Sequence, residues 1–180
     1  MPIRQIAREV NADQTVVKRI IKECELQKRT LKRINAGLIS DYFETIDNPH
    51  KAYWLGMLFT DGSVDRNRGH YRIRLTLQYK DKELLEKFQH DLGLQSKLYE
   101  RKEPGKESFS VEFNDEKMFN DLSKYGICPR KTYVTEHIPK NIPKEYIVDF
   151  IRGMFDGDGC LTYSDDMVYD VVVNFTSYHK

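Results

Sequence analysis

The stretch IRGMFDGDG (residues 151–159) decides how this chain is read, because it has a partner. WLGMLFTDG (54–62) lies under it at an offset of 158 − 61 = 97 residues. Gly56 matches Gly153, Met57 matches Met154, Asp61 matches Asp158 and Gly62 matches Gly159. Neighbouring classes agree as well: Tyr53 with Phe150, Trp54 with Ile151, Leu58 with Phe155, and Val64 with Leu161. A repeat at this distance points to a duplicated domain. Each copy is an apolar run of helical length ending in Asp-Gly.

The totals fit a protein of one full domain plus a small one. The chain has 180 residues, 39% hydrophobic and 32% charged. No apolar run approaches the roughly 20 residues that span a bilayer, and the N-terminal MPIRQIAREV lacks the apolar core of a secretion signal. Cys24, Cys128 and Cys160 form no CxxC pair, which suggests reduced, buried thiols rather than disulfides or zinc. A cytoplasmic, DNA-associated setting with no membrane partner is the expectation. Net charge is only +1, but it is unevenly placed. Residues 1–40 hold nine Lys/Arg and four Asp/Glu, 9 − 4 = +5, which leaves 1 − 5 = −4 for the rest. A basic first segment on a mildly acidic body suggests a nucleic-acid contact; a solvated basic helix is the bland alternative.

That first segment reads as two short helices. Ile3, Ile6, Ala7 and Val10 recur at helical spacing, NAD (11–13) breaks the pattern, and Val17, Ile20 and Ile21 resume it. Ala7, Val17 and Ile20 stand where a helix-turn-helix needs its small packing residue and core contacts. The second helix would offer Gln14, Thr15, Lys18 and Arg19 to a major groove. Asn11 stands where such turns often carry glycine. Residues 1–28 are therefore expected to be a helix-turn-helix-like segment and 29–51 a linker, with DYFETI (41–46) a short docking helix.

YRIRLTLQY (71–79) alternates cleanly. Tyr71, Ile73, Leu75, Leu77 and Tyr79 point one way, and Arg72, Arg74, Thr76 and Gln78 the other, as in a half-buried strand hairpinned through NRG (67–69). The spacing of Leu84, Leu85, Phe88 and Leu92 predicts an amphipathic helix, with Gly93 at its C-terminal cap. A second hairpin buries Phe109, Val111 and Phe113, and a last helix covers DEKMFNDLSKYG (115–126). Helix, hairpin, helix, hairpin, helix is an α+β unit with helices on one face of an antiparallel sheet. The other face would present Arg72, Arg74, Thr76 and Gln78, with Lys97 or Arg101 from a neighbouring strand. It is either a solvated polar face or a surface of donors for a DNA groove.

The two nine-residue motifs resemble those of the LAGLIDADG homing endonucleases, in the two-repeat single-chain form. YFETIDNPHKAYWLGMLFTDGSV (42–64) is similar to the entry of the first repeat in phage-type members, and YGICPRKTYVTEHIPKNIP (125–143) to the stretch between repeats. The resemblance implies a duplicated fold, an antiparallel sheet saddle with helices on one face. Residues 52–138 would be the first repeat and 139–180 the start of the second. In this family the motif helices pack side by side. Gly56 with Thr60, and Gly153 with Gly157, lie i, i+4 and would let the backbones approach. Gly62 and Gly159 would cap the helices. Asp61 and Asp158 would emerge together at the negative helix ends as ligands for Mg²⁺. The resemblance implies a double-strand break across the minor groove, with Lys131 assisting. Asp156, whose counterpart is Phe59, reads as an accessory acid.

Only 180 − 158 = 22 residues follow Asp158, so the second repeat is expected to be incomplete, in a fragment or a truncated gene. With a complete second repeat the chain would be a monomer. The leading reading is a site-specific DNA endonuclease that promotes mobility of its own gene, intron or intein. The alternatives are a DNA-binding transcriptional regulator on the same fold and an RNA maturase acting on intron RNA.

Overall fold

The computed structural model describes residues 3–24, 36–105, 107–130, 138–162 and 172–175. The chain divides into two compact units, Met1–Ile34 and Asn35–Lys180. No helix among the described residues is long and apolar enough to cross a membrane.

The first unit contains α1 (Ile3–Glu9) and α2 (Gln14–Glu23). The Asp13 carboxylate caps α2 by accepting from the Thr15 amide at 2.7 Å. Asn11 takes the left-handed conformation, φ 48°, that the turn requires, which asparagine tolerates better than most residues. Ala7 and Val17 are buried, as their spacing requires. Ile20 differs: expected as a core contact, it is 46% exposed, on the solvent side of the hairpin.

The second unit is built around α3 (Pro49–Thr60). Asn48 caps it by accepting from the Lys51 amide at 3.0 Å, and proline fills the first turn. Ala52, Trp54, Leu55, Gly56, Met57 and Leu58 are all buried, so this helix is covered nearly all round and sits at the centre. Burying Leu55, Met57 and Leu58 contributes about 2 kcal/mol each. From α3 the chain enters β1 (Gly62–Asn67) and β2 (His70–Gln78), then α4 (Lys82–Asp91), β3 (Tyr99–Arg101), β4 (Ser108–Asn114) and α5 (Glu116–Lys124). The four strands form one antiparallel sheet in the order β1-β2-β4-β3. Ile73, Leu75 and Leu77 on β2, and Phe109, Val111 and Phe113 on β4, turn inward against Leu85, Phe88 and Leu92 of the α4 region and Met118 and Leu122 of α5. This is the α+β layering expected from alternation and helical spacing. Gly93 takes φ +70° just past α4; its amide bonds to the His90 carbonyl and the Leu94 amide to the Gln89 carbonyl, the paired closure of a left-handed cap.

Three differences from expectation have simple causes. Residues 41–46 dock as expected, with Tyr42, Phe43 and Ile46 buried in the main core, but as turns rather than a short helix, and α3 begins at Pro49. Tyr79 leaves the strand pattern for a short 3-10 turn and is 54% exposed, packed on the Phe109 ring at 5.0 Å. Lys97 precedes β3 by two residues and so lies outside the strand.

The second copy of the motif forms α6 (Ile147–Asp158), followed by β5 (Gly159–Thr162) and β6 (Val172–Phe175), paired antiparallel with Leu161 opposite Val173. Val171 and Lys131 lie outside the described residues.

Candidate nucleic-acid interface and cleavage site

The site is made by α3 against α6. A side chain at Gly56 would meet the carbonyl oxygen of Phe150 and, at 2.8 Å, the amide of Met154. One at Gly153 would meet the carbonyl oxygen of Tyr53 and, at 3.1 Å, the amide of Met57. Shifting either set by 97 residues gives the other, since 53 + 97 = 150, 56 + 97 = 153 and 57 + 97 = 154. Each motif presents the same patch to its copy, the mark of a two-fold contact. One turn further on, Gly157 faces the side chain of Thr60. Gly56–Gly153 and Thr60–Gly157 advance in the same direction, so the helices run parallel and their C-terminal ends share one end of the pair. Asp61, the cap residue of α3, and Asp158, the last residue of α6, therefore leave the bundle at that end.

Besides Thr60 and Gly157, the symmetry is broken at a further pair of contacts. Phe59 packs on the Phe150 ring, centroids 5.6 Å apart. The equivalent pair is Asp156 and Tyr53, where the tyrosine hydroxyl donates to the carboxylate at 2.8 Å. The Arg152 guanidinium covers the Tyr53 ring at 5.1 Å. Burial, and then the bond to Asp156, push the Tyr53 phenol well above its ordinary range. Asp156 thus joins the helices where its counterpart uses two aromatic rings, a role no sequence pattern marks.

Gly159 caps α6 as expected, its amide donating to the Phe155 carbonyl, whereas α3 is capped by Asp61 with Gly62 one residue beyond; neither glycine has a positive φ, and each begins a strand. Glycine is required there by space, because a side chain at Gly62 would strike the Leu58 backbone and one at Gly159 the Phe155 ring and carbonyl. The turn from helix to strand is tight against the preceding helical turn.

Asp61 is half-buried, and its Oδ2 lies 2.9 Å from where a side chain at Gly157 would begin, so only glycine leaves it room. It lines an open hollow of about 840 Å³ with Thr76 and Gln78 of β2 and with Asp156 and Gly157 of α6. Asp158 is exposed at the helix end. Among the described residues no group of three or more His, Cys, Asp or Glu side chains converges as a closed metal cage. The carboxylates at the shared helix end nevertheless suit a hard divalent cation, which accepts a few protein oxygens and completes its shell with water and phosphate oxygens.

The sheet face turned away from the helices carries Arg72, Arg74, Thr76 and Gln78, as expected, with Ser108, Ser110, Glu112 and Asn114 opposite them on β4. Arg101 and Tyr99 extend it on β3, and Tyr99 is 68% exposed. β1 adds Ser63 opposite Arg74 and Asp65 opposite Arg72. Arg72 donates to Asp65 at 3.0 Å. Arg74 donates through both Nε and Nη2 to Oε2 of Glu112. Arg101 donates to Glu103 at 2.6 Å. In the separate first unit, Gln14, Thr15, Lys18 and Arg19 are all exposed on α2.

Residues 48–133 match the family model described as a LAGLIDADG-like domain. Those residues hold α3, the four-stranded sheet, α4 and α5. No curated protein matches the chain. Among solved structures it is similar to the homing endonuclease I-WcaI bound to its DNA recognition sequence, with 17% identity over 82% of this chain and 66% of that one, TM-score 0.44. It is also similar to the I-LtrWI LAGLIDADG homing endonuclease bound to target DNA, with 13% identity over 68% of this chain and 59% of that one, TM-score 0.40. A third is an I-DmoI variant on nicked target DNA in the presence of manganese, with 16% identity over 67% of this chain and 63% of that one, TM-score 0.36. The chain thus spans about three fifths of the length of these structures.

Proposed function

We propose that this chain is a homing-type DNA endonuclease that makes a metal-dependent double-strand break in a long target site. The observation that carries the reading is the reciprocal contact of α3 and α6, which delivers Asp61 and Asp158 to one end of a two-fold pair. Two strands of a duplex are themselves related by two-fold symmetry, so one carboxylate can serve each scissile phosphate.

Mg²⁺ bound there would activate water and stabilise the leaving oxygen. Asp61 and Asp158 would hold it, with the carbonyls at the helix ends adding negative potential. Gly157 keeps space beside Asp61. Thr76 and Gln78 line the approach from the sheet, whose open face takes the duplex. Arg72, Arg74 and Arg101 contact phosphates or bases there, and Lys97 approaches from the adjoining loop. The first unit reads flanking DNA with Gln14, Thr15, Lys18 and Arg19 as a helix-turn-helix. Lys131, between the two motifs in the sequence, would assist the chemistry.

The test is incubation of the purified chain with Mg²⁺ and its candidate insertion-site duplex, beside a Asp61→Asn/Asp158→Asn double variant. Specific double-strand breaks by the parent alone are expected. Specific binding without cleavage by a folded parent would favour the transcriptional regulator instead, and metal-independent binding to intron RNA would favour the maturase.

A further inference from the structure

The open sheet face is close to neutral, which is unusual for a surface meant to grip a polyanion. Its strands carry Arg72, Arg74 and Arg101 against Asp65 and Glu112, 3 − 2 = +1, and Arg101 is itself paired with Glu103 beyond the strand end. The two central arginines are not free charges. Each is tied to a carboxylate on the neighbouring strand, Arg72 to Asp65 on β1 and Arg74 to Glu112 on β4. The pairs sit side by side in register, since Arg72 and Arg74 are two residues apart on β2. Their side chains are 40–42% exposed, so a duplex laid on the face could reach them.

We propose that Asp65 and Glu112 are specificity-determining residues, holding Arg72 and Arg74 away from phosphates until a matching base sequence is present. This rests on the face binding duplex DNA. A lone arginine on such a face binds any phosphate, because backbone contact is independent of sequence. An arginine already satisfied by a carboxylate gains little from exchanging it for a phosphate. Placing the pair against an arbitrary duplex also brings the carboxylate towards the DNA backbone, which repels it. A base pair can satisfy both partners at once. Guanine offers O6 and N7 to arginine, and the paired cytosine offers its N4 amino group to a carboxylate. Both donors of Arg74 converge on Oε2 of Glu112, and a carboxylate has a second oxygen that can take the cytosine donor. Rejection of wrong sequences would come from a repulsive element built beside the attractive one.

The test measures binding of the full chain to a random-sequence duplex across a salt series, and selects preferred sequences from a randomised duplex pool. Glu112→Gln should tighten random-duplex binding several-fold. It should steepen the slope of log K against log salt by about one unit, as one more phosphate contact releases counterions. Selection should relax at the position Arg74 reads. Adding Arg74→Gln should return the slope to the parent's, which mere loosening of the sheet would not do. Asp65→Asn should repeat the pattern through Arg72. If the parent binds duplex DNA but Glu112→Gln leaves slope and selected sequences unchanged, the inference is wrong. If the parent binds no duplex even at low salt, the DNA-binding reading beneath it fails as well.

Discussion

Replacing Gly56 with alanine should be among the most damaging single-methyl additions in this protein. The new carbon would sit 2.8 Å from the Met154 amide nitrogen and nearer still to the Phe150 carbonyl oxygen, where ordinary contacts lie at 3.4–4 Å. Both obstacles are backbone, so no side chain can rotate away. The helices must part by on the order of 1 Å, and a gap of that size forfeits a quarter to a half of each contact's attraction. The loss runs along the whole seam, through Tyr53, Met57 and Thr60 on one side and Phe150, Met154 and Gly157 on the other. Overpacking of this kind costs about 3 kcal/mol. Gly69 supplies the contrast. It has φ +83° with nothing within 4 Å, so alanine there meets only backbone strain, about 1 kcal/mol. Urea denaturation followed by circular dichroism, with both variants beside the parent, separates the two. Gly56→Ala should lower the midpoint clearly more than Gly69→Ala at an unchanged slope. Equal midpoints, or a Gly56→Ala midpoint at the parent's value, would refute the close-packed helix pair.

Gly153→Ala meets the reciprocal backbone and should match Gly56→Ala in the same titration; a clear inequality would argue against the two-fold. Tyr53→Phe removes the hydroxyl that holds Asp156 and should cost about 1 kcal/mol, read as a lower thermal midpoint, whereas Phe59→Leu on the symmetric side should lose packing alone. Asp121 is buried; burial alone would raise its carboxyl, but bonds from Lys117 and Lys124 hold it below the ordinary range. Its folded value therefore lies under its unfolded one, so its contribution is complete above about pH 4 and fades as pH falls through the folded value. Asp121→Asn should be destabilised at neutral pH and should converge on the parent in acid, checked by denaturation midpoints against pH.

Much of this architecture was legible in the chain because its signals are local or repeated. The 97-residue offset located both motif helices, alternation located β2, and the spacing of Leu85, Phe88 and Leu92 located α4 with Gly93 at its end. What escaped depends on register between distant segments. Asp65 and Glu112 lie seven and 38 residues from the arginines they hold, and nothing in their neighbours marks them. Tyr53 and Asp156 are 103 residues apart and meet only because α3 and α6 cross. The glycines at 62 and 159 mark the helix ends in the sequence, but the reason only glycine fits there, the backbone or ring of the preceding helical turn, shows only in three dimensions. Ile20 follows helical spacing yet stays exposed, since periodicity gives a face but not what covers it.

The paired carboxylates are tested most directly by single variants on supercoiled plasmid carrying the insertion-site sequence, with Mg²⁺ present and products resolved as nicked or linear. Asp61→Asn and Asp158→Asn, each folded and each still binding the site, should both fail to linearise the plasmid at the parent's rate. A single variant that linearises it as fast as the parent would show that its carboxylate has no part in cutting.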